Sequence, residues 1–342
     1  MADLQWTCGC AKIASICSTD RFKLMEKETI MKRTTKLAAV FSLVLMAAIC
    51  FGSHSAVSAG TYVGSVSGIQ QTDAQKTSVT VTWTPVENAT GYQVECEDKE
   101  TEKTVTLTTA DTTADISGLQ AATNYTVKVT PFNSTDTGST KYLWDVVTLP
   151  DKMPGLAQDK WWFWIKKLDV SWNRQSAADG YEAVLYNDKG KVVQKKNLTY
   201  NSVTFSKMEQ KVYTVKVRSY LTWNGKKYYS SWGKIYCLNQ ARITSAKIKG
   251  NRLNVKWGKV SGATGYNIYV STKKNSGYKK VATVKSSKSS AVVKKFRGKK
   301  FSSGKRYYVY VETVCNKKGS KNTSGGLYCW NTDSSYTEYI NN

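Results

Sequence analysis

The sequence predicts an all-β chain of three tandem β-sandwiches, because three features recur along it with one spacing. An alternating apolar strand ends in tryptophan three times: SVTVTW at Trp83, KLDVSW at Trp172 and RLNVKW at Trp257. Eight positions after each tryptophan comes a Gly-Tyr pair, at Gly91-Tyr92, Gly180-Tyr181 and Gly265-Tyr266. Later in each unit a tyrosine opens another alternating strand, YTVKV from Tyr125, YTVKV from Tyr213 and YYVYV from Tyr307. The tryptophans lie 89 and then 85 residues apart, which sets the repeat period.

Each element has a local cause. Successive side chains of a strand point to opposite faces, so Val79, Val81 and Trp83 share one face. Leu168, Val170 and Trp172 repeat that face, as do Leu253, Val255 and Trp257. The segments QVECED, EAVLYND and NIYVSTK, after the Gly-Tyr pairs, read as the next strands. β-Branched residues are abundant, turn residues separate the runs, and helical periods are few. In GLQAATNYTVKV the tyrosine fits a corner in which its hydroxyl bonds nearby backbone. Asn224-Gly225, within WNGKKYYSSWGKIY, marks a two-residue hairpin turn.

On these residues each unit resembles a fibronectin type III domain, an Ig-like sandwich. The likeness is strongest in the first unit, in SVTVTWTPVENATGY and DISGLQAATNYTVKV, and extends over residues 61–342. The resemblance implies binding without catalysis. The second unit departs from the pattern: SKMEQKVY lacks the usual loop before its tyrosine, and DKWWFWIKK inserts aromatics before the Trp172 strand.

The expected boundaries follow. Residues 1–30 read as an over-extended start. Residues 31–59 read as a signal peptide, with MKRTTK as basic region, LAAVFSLVLMAAICFG as apolar region and cleavage after Ala59. Ile49 stands before Cys50 where lipidation needs a small residue. The three sandwiches then occupy 60–149, 150–240 and 241–342, in a secreted, extracellular protein.

Loss of the leader removes His54, the single histidine, and four of the eight cysteines. No imidazole is left for a nucleophile–base pair or a zinc site of mixed ligands. No catalytic, cofactor-binding or metal-binding residue is therefore expected, and no cofactor. Glu95 and Glu97 sit two apart on a strand pattern, as on a solvated face. Of the remaining thiols, Cys315 and Cys329 are expected to form a disulfide across a hairpin, with Cys96 and Cys237 unpaired. Leu168-Asp169-Val170 spells an integrin-type tripeptide, but its parity makes Leu168 and Val170 core residues. By the same parity Trp162 and Trp164 point inward with Leu168, and Trp161 and Phe163 point outward.

Charge carries most of the functional information. Residues 60–149 hold 5 cations and 11 carboxylates, net −6; residues 150–240 hold 16 and 7, net +9. Residues 241–342 hold 22 and 3, net +19. The run VKKFRGKKF has the spacing of simple heparin-type basic patterns. The expected polyanion contacts are Lys294, Lys295, Arg297, Lys299 and Lys300, extended by Lys279 and Lys280. The expected partner is an anionic polysaccharide or wall polymer: teichoic acid, glycosaminoglycan or sulfated mucin. Neither nucleic acid nor, after signal cleavage, membrane is expected as a partner. The alternative is a polypeptide ligand of a host cell-surface receptor, similar to irisin-type fibronectin III polypeptides, released by proteolysis at the Lys152 linker.

Overall fold

Each tryptophan strand becomes part of the smaller of two sheets that face one another across a core. The computed structural model describes residues 62–162, 165–317 and 320–340. The expected leader, with Ala59, Cys50 and His54, lies outside them, as do Phe163 and Trp164.

The first sandwich holds β1 (Ser67–Ala74), β2 (Ser78–Thr84), β3 (Gly91–Asp98), β4 (Thr104–Thr109), β5 (Thr113–Ser117), β6 (Asn124–Phe132) and β7 (Lys141–Val147). Its sheets run β1-β2-β5 and β4-β3-β6-β7. The second holds β8 (Ala157–Trp162), β9 (Lys167–Ser171), β10 (Gly180–Tyr186), β11 (Val192–Leu198), β12 (Ser202–Phe205), β13 (Tyr213–Trp223), β14 (Lys226–Tyr229) and β15 (Gly233–Cys237). Its sheets run β12-β9-β8 and β11-β10-β13, with β14 and β15 both paired to β13. The third holds β16 (Ile243–Lys249), β17 (Arg252–Trp257), β18 (Gly265–Ser271), β19 (Lys279–Lys285), β20 (Ser290–Val293), β21 (Tyr308–Lys317), β22 (Ser320–Thr323), β23 (Tyr328–Asn331) and β24 (Tyr336–Tyr339). Its sheets run β16-β17-β20 and β19-β18-β21-β23-β24, with β22 also on β21.

The repeated residues do repeated work. Each core tryptophan meets its Gly-Tyr tyrosine edge-on, with centroids 5.2, 5.2 and 5.4 Å apart for Trp83–Tyr92, Trp172–Tyr181 and Trp257–Tyr266. The hydroxyl of that tyrosine accepts a backbone N–H six residues earlier: Val86 at 3.0 Å, Gln175 at 3.0 Å and Val260 at 2.9 Å. The spacing thus lets one side chain pack the core and pin the preceding loop. The second tyrosine forms a corner in all three units. Tyr125, Tyr213 and Tyr307 accept the N–H of Gln120 (2.7 Å), Glu209 (3.2 Å) and Ser302 (3.4 Å). In the second unit the donor is four residues upstream instead of five, so the short SKMEQKVY segment still closes its corner.

A glutamine side chain closes the seam between the two sheets twice. Gln71 of β1 donates to the Val147 carbonyl at 2.8 Å and accepts its N–H at 3.1 Å. Gln158 of β8 does the same to Leu238, at 3.1 and 2.8 Å. An amide side chain stands in for a missing ladder rung.

Leu168 and Val170 are fully buried. Asp169 faces outward and accepts hydrogen bonds from Thr204 Oγ1 (2.7 Å) and Trp162 Nε1 (2.9 Å). The tripeptide is interior, as its parity implies. The parity argument fails one hairpin earlier. Trp161 is buried in the second core, and Trp162 is half-buried and stacks on Tyr339 of the third sandwich. Alternation holds only within a strand, and a turn with Lys166 at φ 52° separates β8 from β9. Register then matters: Trp161 stands opposite Leu168, and opposed residues share a face.

The expected Cys315–Cys329 disulfide is not formed; all four described cysteines are free and buried. The inserted β22 takes the partner position beside Cys315, which pairs with Asn322. The chain then returns so that β23 pairs the start of β21, Tyr308 with Asn331 and Val309 with Trp330. That register separates the two cysteines by about five residues along the strand, roughly 16 Å, beyond the ~7 Å a disulfide spans. They also lie in different clusters, Cys315 in the sandwich core and Cys329 with Tyr308 and Ile340. The Lys152 linker is tied down as well. Gln175 bonds the Lys152 carbonyl at 3.1 Å, and Ser231 N–H bonds that of Asp151 at 2.7 Å. Asn224 (φ 47°) and Gly225 (φ 71°) make the expected two-residue turn between β13 and β14.

Candidate polyanion-binding face

The VKKFRGKKF run is shaped by its two phenylalanines. Phe296 and Phe301 are buried and pack edge-on against Tyr307, at 6.3 and 5.0 Å between centroids. The cations between them are forced outward. Phe296 and Lys299 exchange backbone hydrogen bonds at 2.9 and 3.1 Å around a tight turn. Arg297 (φ 50°) and Gly298 (φ 78°) both sit in the left-handed region there.

This geometry divides the predicted cluster. Lys294, Lys295 and Lys300 line one cleft of about 220 Å3, together with Gly250, Asn251 and Arg252. Arg297 turns away and donates to the Gly277 carbonyl at 3.2 Å, with its guanidinium 5.2 Å from the Phe296 ring. Lys299 is exposed on the turn. Lys279 and Lys280 belong to the opposite sheet, on β19. Lys280 lines a separate depression with Asn267, Thr283 and Lys285.

The cleft continues into a basic sheet face. On β17, Leu253, Val255 and Trp257 point into the core, while Arg252 and Lys256 are exposed. On β16, Lys247 and Lys249 are exposed in the same way. Cross-strand register places Lys249 opposite Arg252, Lys247 opposite Asn254 and Lys256 opposite Ser290. Val292, 55% exposed, lies opposite Asn254 in the middle of the face. Lys247, Lys249, Arg252 and Lys256 were outside the cluster drawn from the sequence. The alternation of SAKIKGNRLNVKW assigns them outward by the logic that assigns Leu253 and Val255 inward.

Among the described residues no carboxylate offsets this charge. The third sandwich has three acidic residues, all on its larger sheet or the turn beyond it. Glu312 accepts from Asn267 (2.8 Å) and Tyr269 (3.4 Å). Asp333 pairs with Arg306 at 2.8 Å, and Glu338 with Lys274 at 3.0 Å. Among the described residues, none of Lys247, Lys249, Arg252, Lys256, Lys294, Lys295 and Lys300 forms an ion pair. Like charges directly opposite on a sheet are destabilising, so Lys249 facing Arg252 carries a cost in the free protein. The corresponding sheets of the other units include outward acids: Asp115 bonded to Thr80 at 2.6 Å, and Asp159 bonded to Ser171 at 2.7 Å.

The carboxylates of the first unit make ordinary surface pairs. Glu97 binds Lys128 at 2.6 Å, and Glu95 accepts from Gln93 at 3.0 Å. Among the described residues no three His, Cys, Asp or Glu side chains cluster as metal ligands.

The fold defines a chain of tandem β-sandwiches, the third of them strongly cationic. The fibronectin type III domain model matches residues 64–142, and the first sandwich is a fibronectin type III domain. The chain is similar to the FN1–FN3 domains of chicken CNTN1, at 15% identity, with 76% of this chain and 96% of that one covered and a TM-score of 0.32. It is also similar to a two-domain fibronectin type III segment of chicken tenascin, at 15% identity, with 51% and 99% covered and a TM-score of 0.30. No curated protein matches the sequence.

Proposed function

We propose that this is a secreted, non-catalytic binding protein whose third sandwich docks on an anionic polymer, a wall polymer or a sulfated glycan. The observation that carries the reading is the outer face of β16-β17-β20, where Lys247, Lys249, Arg252 and Lys256 project and, among the described residues, no carboxylate answers them. Each contact of an exposed cation with an anion is weak, about 1 kcal/mol or less. Several converging on one polymer add, and the sum is screened by salt. The acidic first unit, net −6, does not compete for the same partner. The test is retention of the full chain on heparin and teichoic acid columns across a salt gradient. A variant carrying Lys247→Glu, Lys249→Glu, Lys256→Glu and Lys294→Glu serves as comparison. The reading expects strong retention at low salt, steep loss with added salt, and passage of the variant unretained. Equal retention of both proteins rejects this face.

A further inference from the structure

We infer that the cleft at the end of the basic face seats one tetrahedral oxyanion ester of the polymer, a phosphodiester or a sulfate, and that Arg252 is its bidentate anchor. The inference rests on the polyanion reading and narrows it to a place, a chemistry and a residue. A left-handed turn at Gly250-Asn251 (φ 52° and 60°) lines the cleft, and a second, Arg297-Gly298 (φ 50° and 78°), lies in the chain between its lining residues Lys295 and Lys300. Phe301 N–H ties the turns together by donating to the Asn251 carbonyl at 3.2 Å, and its ring is buried beneath. The walls are thus held before any ligand arrives. Arg252 leaves the first turn, Lys300 leaves the second, and Lys294 and Lys295 close the remaining side.

The chemistry follows from the number and kind of donors. Four cations converge on about 220 Å3, room for an anionic group with part of its hydration. A carboxylate offers two oxygens in one plane. A phosphodiester or sulfate ester turns its oxygens in several directions and can meet an arginine fork and ammonium groups together. Arg297 cannot supply that fork, because its guanidinium is held by the Gly277 carbonyl and the Phe296 ring. Arg252 forms no ion pair with a described carboxylate, and its guanidinium remains available.

The experiment compares two variants of equal charge change, Arg252→Gln and Arg297→Gln, in the full chain. Binding is measured at fixed salt to heparin, to poly(glycerol phosphate) and to hyaluronan, whose only anions are carboxylates. Arg252→Gln should weaken binding to heparin or to poly(glycerol phosphate) about tenfold, and Arg297→Gln less than about twofold. Arg252→Lys, which keeps the charge and loses the fork, should fall between them. The polymer with the larger Arg252 effect identifies the ester as sulfate or phosphate. Equal losses for the two glutamine variants would overturn the cleft assignment while the docking reading stands. An equal Arg252 effect on hyaluronan would overturn the tetrahedral assignment. If the unmodified chain binds none of the three, both readings fall. Circular dichroism of each variant checks that these exposed substitutions leave the fold intact.

Discussion

Replacing Tyr181 with phenylalanine isolates one hydroxyl that serves the repeat. The Tyr181 oxygen accepts the Gln175 backbone N–H at 3.0 Å, and both residues are buried. Phenylalanine keeps the ring and its edge-on contact with Trp172, so packing is nearly conserved. What changes is a buried N–H left without an acceptor, which costs roughly 1–3 kcal/mol. For a sandwich of this size, each kcal/mol lowers the melting temperature by about 4–8 °C. The second sandwich should therefore melt roughly 5–20 °C lower in Tyr181→Phe. Calorimetry of the full chain measures this, and hydrogen exchange at the Gln175 amide reports the lost bond locally. Tyr213→Phe is the contrast, because its bond to Glu209 N–H is longer, 3.2 Å, and only part-buried. A Tyr181→Phe protein as stable as the parent to within about 0.5 kcal/mol, with Gln175 protection unchanged, would refute the pinning argument.

Gln158→Ala should destabilise the second sandwich by roughly 1–3 kcal/mol, because it unpairs both the N–H and the carbonyl of Leu238; urea denaturation measures the loss. Burial, with Asp98 as a lesser cause, pushes the Cys96 thiol up to about 12, and burial also raises Cys237, Cys315 and Cys329. All four should resist iodoacetamide at pH 8 in the native chain and react fully on unfolding without reductant, as peptide mapping would show; a need for reductant at Cys315 and Cys329 would contradict the free thiols. Burial works to raise the Glu338 carboxyl, but the Asn331 hydrogen bond and Lys274 outweigh it and hold the group below its ordinary 4.5. A lowered folded value stabilises above the unfolded pKa, and that stabilisation is lost as pH falls through the folded value. Acid titration of the melting temperature should therefore show a fall below about pH 4.5 that is smaller in Glu338→Gln.

Local pattern was enough for the strands and for the faces within each one. Val79, Leu168 and Leu253 are buried because alternation is a property of a single strand, and the sandwich needs one apolar face. The Asn224-Gly225 turn and the tyrosine corners are also local, since their partners lie within a few residues. What sequence distance concealed was register. Trp161 faces the core because it opposes Leu168 across a turn that resets parity. Cys315 and Cys329 are held apart because β22 claims the place beside Cys315. The basic cluster read along the chain was similarly incomplete. Lys294, Lys295 and Lys300 share a cleft with Arg252, about forty residues earlier, while adjacent Arg297 turns away. Cross-strand pairing is fixed by the whole sheet and its core, so only the tertiary structure decides which charges meet.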